Sequence, residues 1–85
     1  MHNAQQTSIE AFYDLEKLPE KRRAVYDAIA KLGEACNLDI AYELRWPINR
    51  VTPRTNELVA KGLVEQSKQA VTPRTGRKVI YWKIK

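Results

Sequence analysis

The sequence predicts an α+β domain, mainly helical, with four helices followed by a C-terminal two-stranded β-hairpin. At 85 residues the chain is long enough for one domain with a single modest core. From residue 7 to residue 61 the apolar residues recur at spacings of three and four, which is typical of amphipathic helices. After Gly62 the period changes, and the segment KVIYWKIK alternates as a half-buried strand does.

A first short helix is predicted over residues 7–18, within an N-terminal arm formed by residues 1–18. Thr7 is followed three residues later by Glu10, which is the spacing of a capping box. The apolar stripe of this helix comes from Ile9, Phe12 and Tyr13. Because such a stripe offers a surface to a second copy of the chain, a homodimer through the N-terminal helix is one expectation.

The second helix opens the main domain, residues 19–85. Pro19 suits the first turn of a helix, where its missing N–H is not needed. Gly33 stands where this helix is expected to end. Its inward face is expected to consist of Val25, Ile29 and Leu32.

A third helix is predicted over residues 38–45, with Asn37 as its N-cap. Pro47 ends it, because the residue before a proline is pushed towards an extended conformation. Its inward face is expected to consist of Ile40, Ala41 and Leu44.

A fourth helix is predicted over residues 48–61, directly after the tight break RWP. Gly62 is expected to close it in a left-handed Schellman cap, with Leu63 touching Leu58. The shared inward face is expected to consist of Ile48, Val51, Thr55 and Leu58. Two short helices joined in this way match a helix-turn-helix, which presents its second helix to the major groove of DNA.

The C-terminal segment is predicted to form two strands, LVEQSK and KVIYWKIK, joined by the basic loop QAVTPRTGR. No acidic residue follows Glu65. A basic β-loop beside a helix-turn-helix is a wing, which can lie along the DNA backbone or reach the adjacent minor groove. A hairpin whose lysines and prolines merely discourage edge-to-edge aggregation is the alternative.

The charge distribution favours a polyanion as the partner. Residues 1–44 contain five Lys/Arg and eight Asp/Glu, a net charge of −3. Residues 45–85 contain ten and two, a net charge of +8. Such asymmetry between halves indicates nucleic-acid binding, and a lopsided solvated surface is the alternative.

The polar face of the predicted fourth helix carries residue types that bind base edges and phosphates. Arginine pairs with guanine and asparagine with adenine, and the N-terminal half of a recognition helix is the part that approaches the bases. Selectivity is expected from Asn49, Arg50, Arg54 and Asn56. Phosphate contacts are expected from Arg45, Lys68, Arg74, Arg77 and Lys78. An amphipathic helix with a solvated polar face is the alternative.

The stretch CNLDIAYELRWPINRVTPRTNELVAKGLV, followed by TGRKVIYW, resembles the winged helix-turn-helix family. It is similar to the DNA-binding part of MarR-type regulators and to small phage-type winged-helix proteins, over roughly residues 20–85. The resemblance implies sequence-preferring binding of double-stranded DNA, with helix 48–61 in the major groove and a basic wing at 68–78. It also implies a small regulator of transcription or replication.

The resemblance also assigns individual residues. The start of the family's recognition helix matches Asn49, Arg50, Thr52 and Arg54. Its wing matches Arg74, Arg77 and Lys78. Arg45 departs from the pattern, because such sequences often carry glycine there; this implies a different turn geometry or one more phosphate contact.

The pentapeptide VTPRT occurs twice, at residues 51–55 and 71–75. The two copies are expected to share chemistry without sharing structure, each presenting one arginine to a phosphate; chance recurrence is the alternative. In the first copy, Thr52 and Pro53 are expected in the opening turn of a helix, with Thr52 helping to cap it. In the second copy, Pro73 is expected to fix the bend of a loop.

Two charged segments receive plainer interpretations. The basic run KRR at 21–23 is interpreted as a solvated helix face, because Glu20 and Asp27 lie nearby, and a phosphate contact is the alternative. Glu57 is expected to pair with Lys61, one turn along the same helix.

Other classes of function find little support in the sequence. No enzyme is expected, because no nucleophile–base pair or phosphate-cradling glycine loop can be identified. One cysteine and one histidine predict no cofactor or metal site. No apolar run approaches the roughly 20 residues of a membrane span, and the start MHNAQQTS lacks signal-peptide character, so a cytoplasmic location is expected. A winged-helix protein-interaction module and a structured-RNA binder stay as alternatives to DNA binding.

Overall fold

Three helices and a β-hairpin make up the part of the chain that the computed structural model describes, residues 18–85. The helices are α1 (Glu20–Leu32), α2 (Asn37–Leu44) and α3 (Ile48–Ala60), and the strands are β1 (Val64–Val71) and β2 (Lys78–Ile84). The α+β, mainly helical class and the order of these elements are confirmed. The predicted first helix and its proposed role in dimerisation lie outside the described residues.

The ends of α1 and α2 are set by local backbone chemistry. Gly33 follows α1 with φ +82° and donates its N–H to the Ile29 carbonyl at 2.8 Å, as predicted. The prediction of Asn37 as the N-cap of α2 is wrong by one residue. Cys36 holds that position, because the Asp39 carboxylate reaches back to accept the Cys36 N–H at 3.3 Å.

Helix α3 packs through a narrow inward face and closes as predicted. Val51, Thr55 and Leu58 are fully buried. The prediction for Ile48 is wrong, since 41% of its surface is exposed in the first turn. At the other end, the Leu63 N–H donates to the Leu58 carbonyl at 3.0 Å, which is the long bond of a Schellman cap.

The first VTPRT copy sits deeper in α3 than expected. Because α3 begins at Ile48, Pro53 is its sixth residue and lies in the helix interior rather than the opening turn. Proline has no N–H, so the Asn49 carbonyl, four residues earlier, loses its usual helical donor. Thr52 does not cap the helix; its hydroxyl donates to the Ile48 carbonyl at 3.2 Å, one turn back.

The strands form an antiparallel hairpin whose register runs from Val64 opposite Ile84 to Val71 opposite Lys78. A bulge between Gln66 and Lys68 interrupts the pairing. Strand β1 extends three residues beyond the predicted LVEQSK, so the loop between the strands shortens to residues 72–77.

The hairpin joins the helical core through β2. Ala35 exchanges two backbone hydrogen bonds with Trp82, at 2.8 and 3.0 Å. The core is contributed by all three helices and by Val64, and Trp46, Trp82 and Ile84 pack against it partly buried. The expected place of Leu32 in this core is wrong, since 40% of its surface is exposed. None of the described helices is long and apolar enough to cross a membrane.

Candidate nucleic-acid interface

The outermost ridge of α3 is uncharged and polar. With 100° between successive residues, the direction opposite the buried Val51, Thr55 and Leu58 falls on Asn49, Pro53 and Asn56. All three residues of this ridge are exposed. Apart from Ala60 at the end of the helix, the side chains that point most directly away from the buried face of α3 are therefore two amides and a proline.

Basic residues flank this ridge on the side nearer α1. Asn49, Arg50 and Arg54 line one shallow depression, together with Lys21 from the first turn of α1. The Arg50 guanidinium lies 5.5 Å from the centre of the Trp46 ring, within the range of a cation–π contact. The structure thus brings three of the predicted site residues together and adds Lys21 to them.

Arg54 and Arg22, which lies in α1, bind the same carboxylate, that of Glu57. The Nη2 of Arg54 donates to Oε2 of Glu57 at 3.3 Å, and its Nε lies 3.0 Å from Oε1. Arg22 approaches the same carboxylate from α1, its Nε donating to Oε1 at 2.7 Å. The expected pair between Glu57 and Lys61 is wrong, because Arg22 and Arg54 occupy the carboxylate. The hydrogen bond from Arg22 and the charges of both arginines hold the pKa of Glu57 below its ordinary value.

The other side of α3 forms a groove with the hairpin. Thr52 and Asn56 line it from α3, and Lys78 stands at the start of β2 on the facing wall. The floor of the groove includes Ile48 and Trp82. The predicted wing cation Lys78 therefore shares a surface with the predicted base-reading residue Asn56.

Arg74, at the tip of the hairpin, is docked onto α2. Its Nε donates to Oδ1 of Asp39 at 2.8 Å, and its guanidinium lies 3.9 Å from the centre of the Tyr42 ring. Burial raises the pKa of Asp39, but the hydrogen bonds from Arg74 and from the Cys36 backbone outweigh it, so the pKa lies below its ordinary value. The second VTPRT arginine, like the first, is held by a carboxylate.

Lys68, in β1, pairs with a carboxylate of the turn between α1 and α2. Its Nζ is 3.1 Å from Oε1 of Glu34 and 5.2 Å from the centre of the Tyr81 ring. The Ser67 hydroxyl hydrogen-bonds to the same carboxylate. The hydrogen bonds from Ser67 and Lys68 hold the pKa of Glu34 below its ordinary value. The charge of Lys68 is therefore balanced by the turn between α1 and α2.

Arg45 and Arg77 occupy two exposed turns. Arg77 lies in the wing loop, where its carbonyl accepts the Thr72 N–H at 2.9 Å. Arg45 ends α2 with φ 59° and ψ 42° and is the one non-glycine residue with positive φ among residues 18–85. Because this left-handed conformation is the one glycine favours, the expectation of a different turn geometry at Arg45 is wrong.

Lys21 belongs to this surface, although the sequence favours a solvated face for the run KRR over a phosphate contact. The run KRR was assigned to a solvated face because acidic residues lie near it in the chain. The structure separates the run, since Arg22 pairs with Glu57, Arg23 pairs with Asp27 at 3.1 Å, and Lys21 turns to the depression beside α3. The helical period was the available signal, because neighbouring residues on a helix point 100° apart.

Comparison with solved structures identifies the arrangement. The chain superimposes on the adhesin competence repressor AdcR from Streptococcus pyogenes with a TM-score of 0.64 and 17% identity, covering 98% of this chain and 63% of that one. The fold is a MarR-like winged helix. ZitR from Lactococcus lactis matches with a TM-score of 0.60 and 20% identity, over 99% of this chain and 64% of that one. MarR from E. coli in its reduced form matches with a TM-score of 0.58 and 20% identity, over 89% of this chain and 52% of that one.

These likenesses concern the fold. The chain spans between about half and two thirds of the length of the three structures. No protein-family model matches the sequence, and no curated protein matches it. In winged-helix terms, α2 and α3 are the helix-turn-helix, α3 is its second helix, and the β1–β2 hairpin is the wing.

Proposed function

We propose that this protein binds double-stranded DNA as a small winged-helix regulator of transcription, with α3 in the major groove. The observation that carries the proposal is the exposed ridge Asn49–Pro53–Asn56, because it places base-reading amides on the side of α3 that points away from its buried face. The solved structures with this fold include proteins named as repressors, which supports the same role.

The spacing of the ridge suits a short stretch of base pairs. Asn49 and Asn56 are seven residues apart, or about 10 Å along the helix axis. DNA rises about 3.4 Å per base pair, so the two amides span about three base pairs. Asparagine makes its best paired hydrogen bonds with adenine, and adenine is therefore the expected preference at both positions.

The wing supplies the second contact. Arg77 and Lys78 are exposed at the turn into β2, and Lys78 shares the groove with Asn56. A wing beside an inserted recognition helix meets the flanking backbone or minor groove. Neither residue forms an ion pair with another of residues 18–85, so both charges can neutralise phosphates without breaking a described contact.

The direct test is the salt dependence of duplex binding. If about five phosphates are contacted, log K falls with log salt with a slope of about −4 to −5. Lys78→Ala is expected to weaken binding to all sequences alike and to lower that slope by about 1. Lys83→Ala, at the far end of β2 and 3.8 Å from Glu65, is the matched control and is expected to leave the slope unchanged.

Two results would contradict the proposal, one from this titration and one from a competition experiment. The first is the absence of duplex binding at low ionic strength. The second is equal or tighter binding of a structured RNA in direct competition with duplex DNA, which would favour an RNA-binding role for the same basic surface.

A further inference from the structure

The depression between α1 and α3 is lined by basic side chains. Its lining brings together Lys21, Arg50 and Arg54, and includes no carboxylate. Glu57 balances the charge of Arg54, but no described carboxylate pairs with Lys21 or Arg50, and a bound anion relieves the repulsion between those two charges. The remaining walls come from Pro47, Asn49 and Pro53.

The walls also restrict the type of contact that an anion can make. Pro47 and Pro53 have no backbone N–H, so the donors that line the depression belong to its other four residues. Lysine and arginine are donors only, and the Asn49 amide can donate as well. A ligand with several acceptor oxygens and a negative charge satisfies this set, and a phosphodiester has both properties.

The position of the depression relative to the Asn49–Pro53–Asn56 ridge indicates which part of a DNA duplex would reach it. Arg50 and Arg54 lie on the flank of α3, about 75° and 115° around the helix axis from the direction opposite its buried face. When the ridge points at the base edges, this flank faces the wall of the groove, which is the sugar–phosphate backbone.

We propose that the depression seats one backbone phosphate of the bound duplex, with Lys21 as a contact from α1. Arg50 and Arg54 complete the seat, so Arg54 acts on the backbone and base reading falls to the two amides. The inference rests on the proposed DNA binding and extends the interface to a helix outside the helix-turn-helix and the wing.

Glu57 acts here as a positioning residue. It is held from α1 by Arg22 at 2.7 Å and in turn holds the Arg54 guanidinium, whose side chain is about one third exposed. A guanidinium that is already fixed loses less conformational entropy when it binds a phosphate.

The first test compares two lysines of the same helix. Lys21→Ala is expected to lower the magnitude of the salt slope by about 1 and to weaken random and selected duplexes by the same factor. Lys31→Ala, near the end of α1 and paired with Glu43 at 2.7 Å, is expected to leave the slope at the wild-type value. Because Lys21 is exposed, both variants are expected to keep the wild-type circular dichroism spectrum.

The second test locates the phosphate itself. Neutral methylphosphonate linkages are placed one at a time in a duplex selected for binding, and affinity is measured for wild type and Lys21→Ala. One linkage that weakens binding of the wild type at least several-fold is expected to weaken binding of the variant by a clearly smaller factor, because only Arg50 and Arg54 then remain at that phosphate. A Lys21→Gln variant, which keeps a long polar side chain, is expected to behave as Lys21→Ala does.

The outcomes separate this inference from the proposed function. Wild-type protein that does not bind duplex DNA would overturn both. Wild-type binding with an unchanged slope in Lys21→Ala, an equal loss in Lys31→Ala, or full sensitivity of every linkage in the Lys21 variants would overturn the phosphate seat alone.

Discussion

The two copies of VTPRT fold into different structures. Residues 51–55 lie within α3, whereas residues 71–75 end β1 and form most of the wing loop. Val51 is fully buried, and 61% of Val71 is exposed. The burial of the threonines is reversed relative to the valines: Thr72, in the second copy, is fully buried, whereas Thr52, in the first, is half-buried.

The difference shows that the surroundings, and not the five residues, select the local structure. The first copy continues an apolar period that includes Leu58, so the helix buries Val51 and Thr55 of the copy together with Leu58. The second copy is followed by Gly76, whose φ of +75° lets its N–H return to the Thr72 carbonyl at 2.8 Å. That bond closes a tight loop in which the Thr72 hydroxyl also accepts the Arg74 N–H at 3.3 Å.

What the two copies do share is a restrained arginine. Arg54 is held by Glu57 and Arg74 by Asp39. A phosphate contact by each arginine stays a prediction, and equivalent substitutions in the two copies test the difference in their structures.

The largest expected effect separates the two valines. Val51→Ala removes two methyl groups from a fully buried site and is expected to lower the free energy of unfolding by about 2–3 kcal/mol. Val71→Ala, on an exposed strand end, is expected to change it by less than about 0.5 kcal/mol. Urea denaturation of both variants measures the difference, and equal losses would show that the copies are packed alike.

The two prolines are expected to act in opposite directions. Pro53→Ala restores a helical N–H for the Asn49 carbonyl and is expected to stabilise the domain by about 1–2 kcal/mol. Pro73→Ala frees the unfolded chain without gaining a helical bond and is expected to destabilise it by about 0.5–1 kcal/mol. Thermal denaturation gives both signs, and a shared sign would break the distinction between helix and loop.

The smallest expected effect concerns acid stability. The pKa of Glu57 and that of Asp39 are both lowered on folding, from ordinary values of 4.5 and 3.8. Each carboxylate therefore stabilises the fold above its ordinary pKa, and this contribution is lost as the pH falls through the lowered value. Glu57→Gln is expected to flatten the fall of the urea midpoint below about pH 4.5, and Asp39→Asn below about pH 3.8. An unchanged pH profile in both variants would contradict the paired state of the two arginines.

The sequence predicted what depends on periodicity and on local backbone chemistry. The inward residues of α2, the glycine ends at Gly33 and Gly62, and the hairpin all follow from such patterns. The N-cap of α2 was misplaced because Asn37 and Cys36 are adjacent and the choice depends on where the Asp39 carboxylate reaches. The boundary of β1 was misplaced because pairing with β2, rather than strand propensity, extends it to Val71.

The contacts of the candidate site could not be predicted in the same way. The Arg22–Glu57 and Arg74–Asp39 pairs each join residues 35 positions apart. Such pairs exist only once the helices and the wing have packed, and no local pattern marks them. The same packing brings Lys21 beside α3, so the phosphate seat emerges from the tertiary structure alone.

We expect α3 to read bases through Asn49 and Asn56. Selection of bound duplexes from a random library tests this with three proteins: wild type, Asn49→Ala and Asn56→Ala. The expected result is a wild-type motif with adenine specified at two positions about three base pairs apart, each preference disappearing in one variant. A wild-type pool without any preferred base, or a motif that both variants retain unchanged, would contradict it.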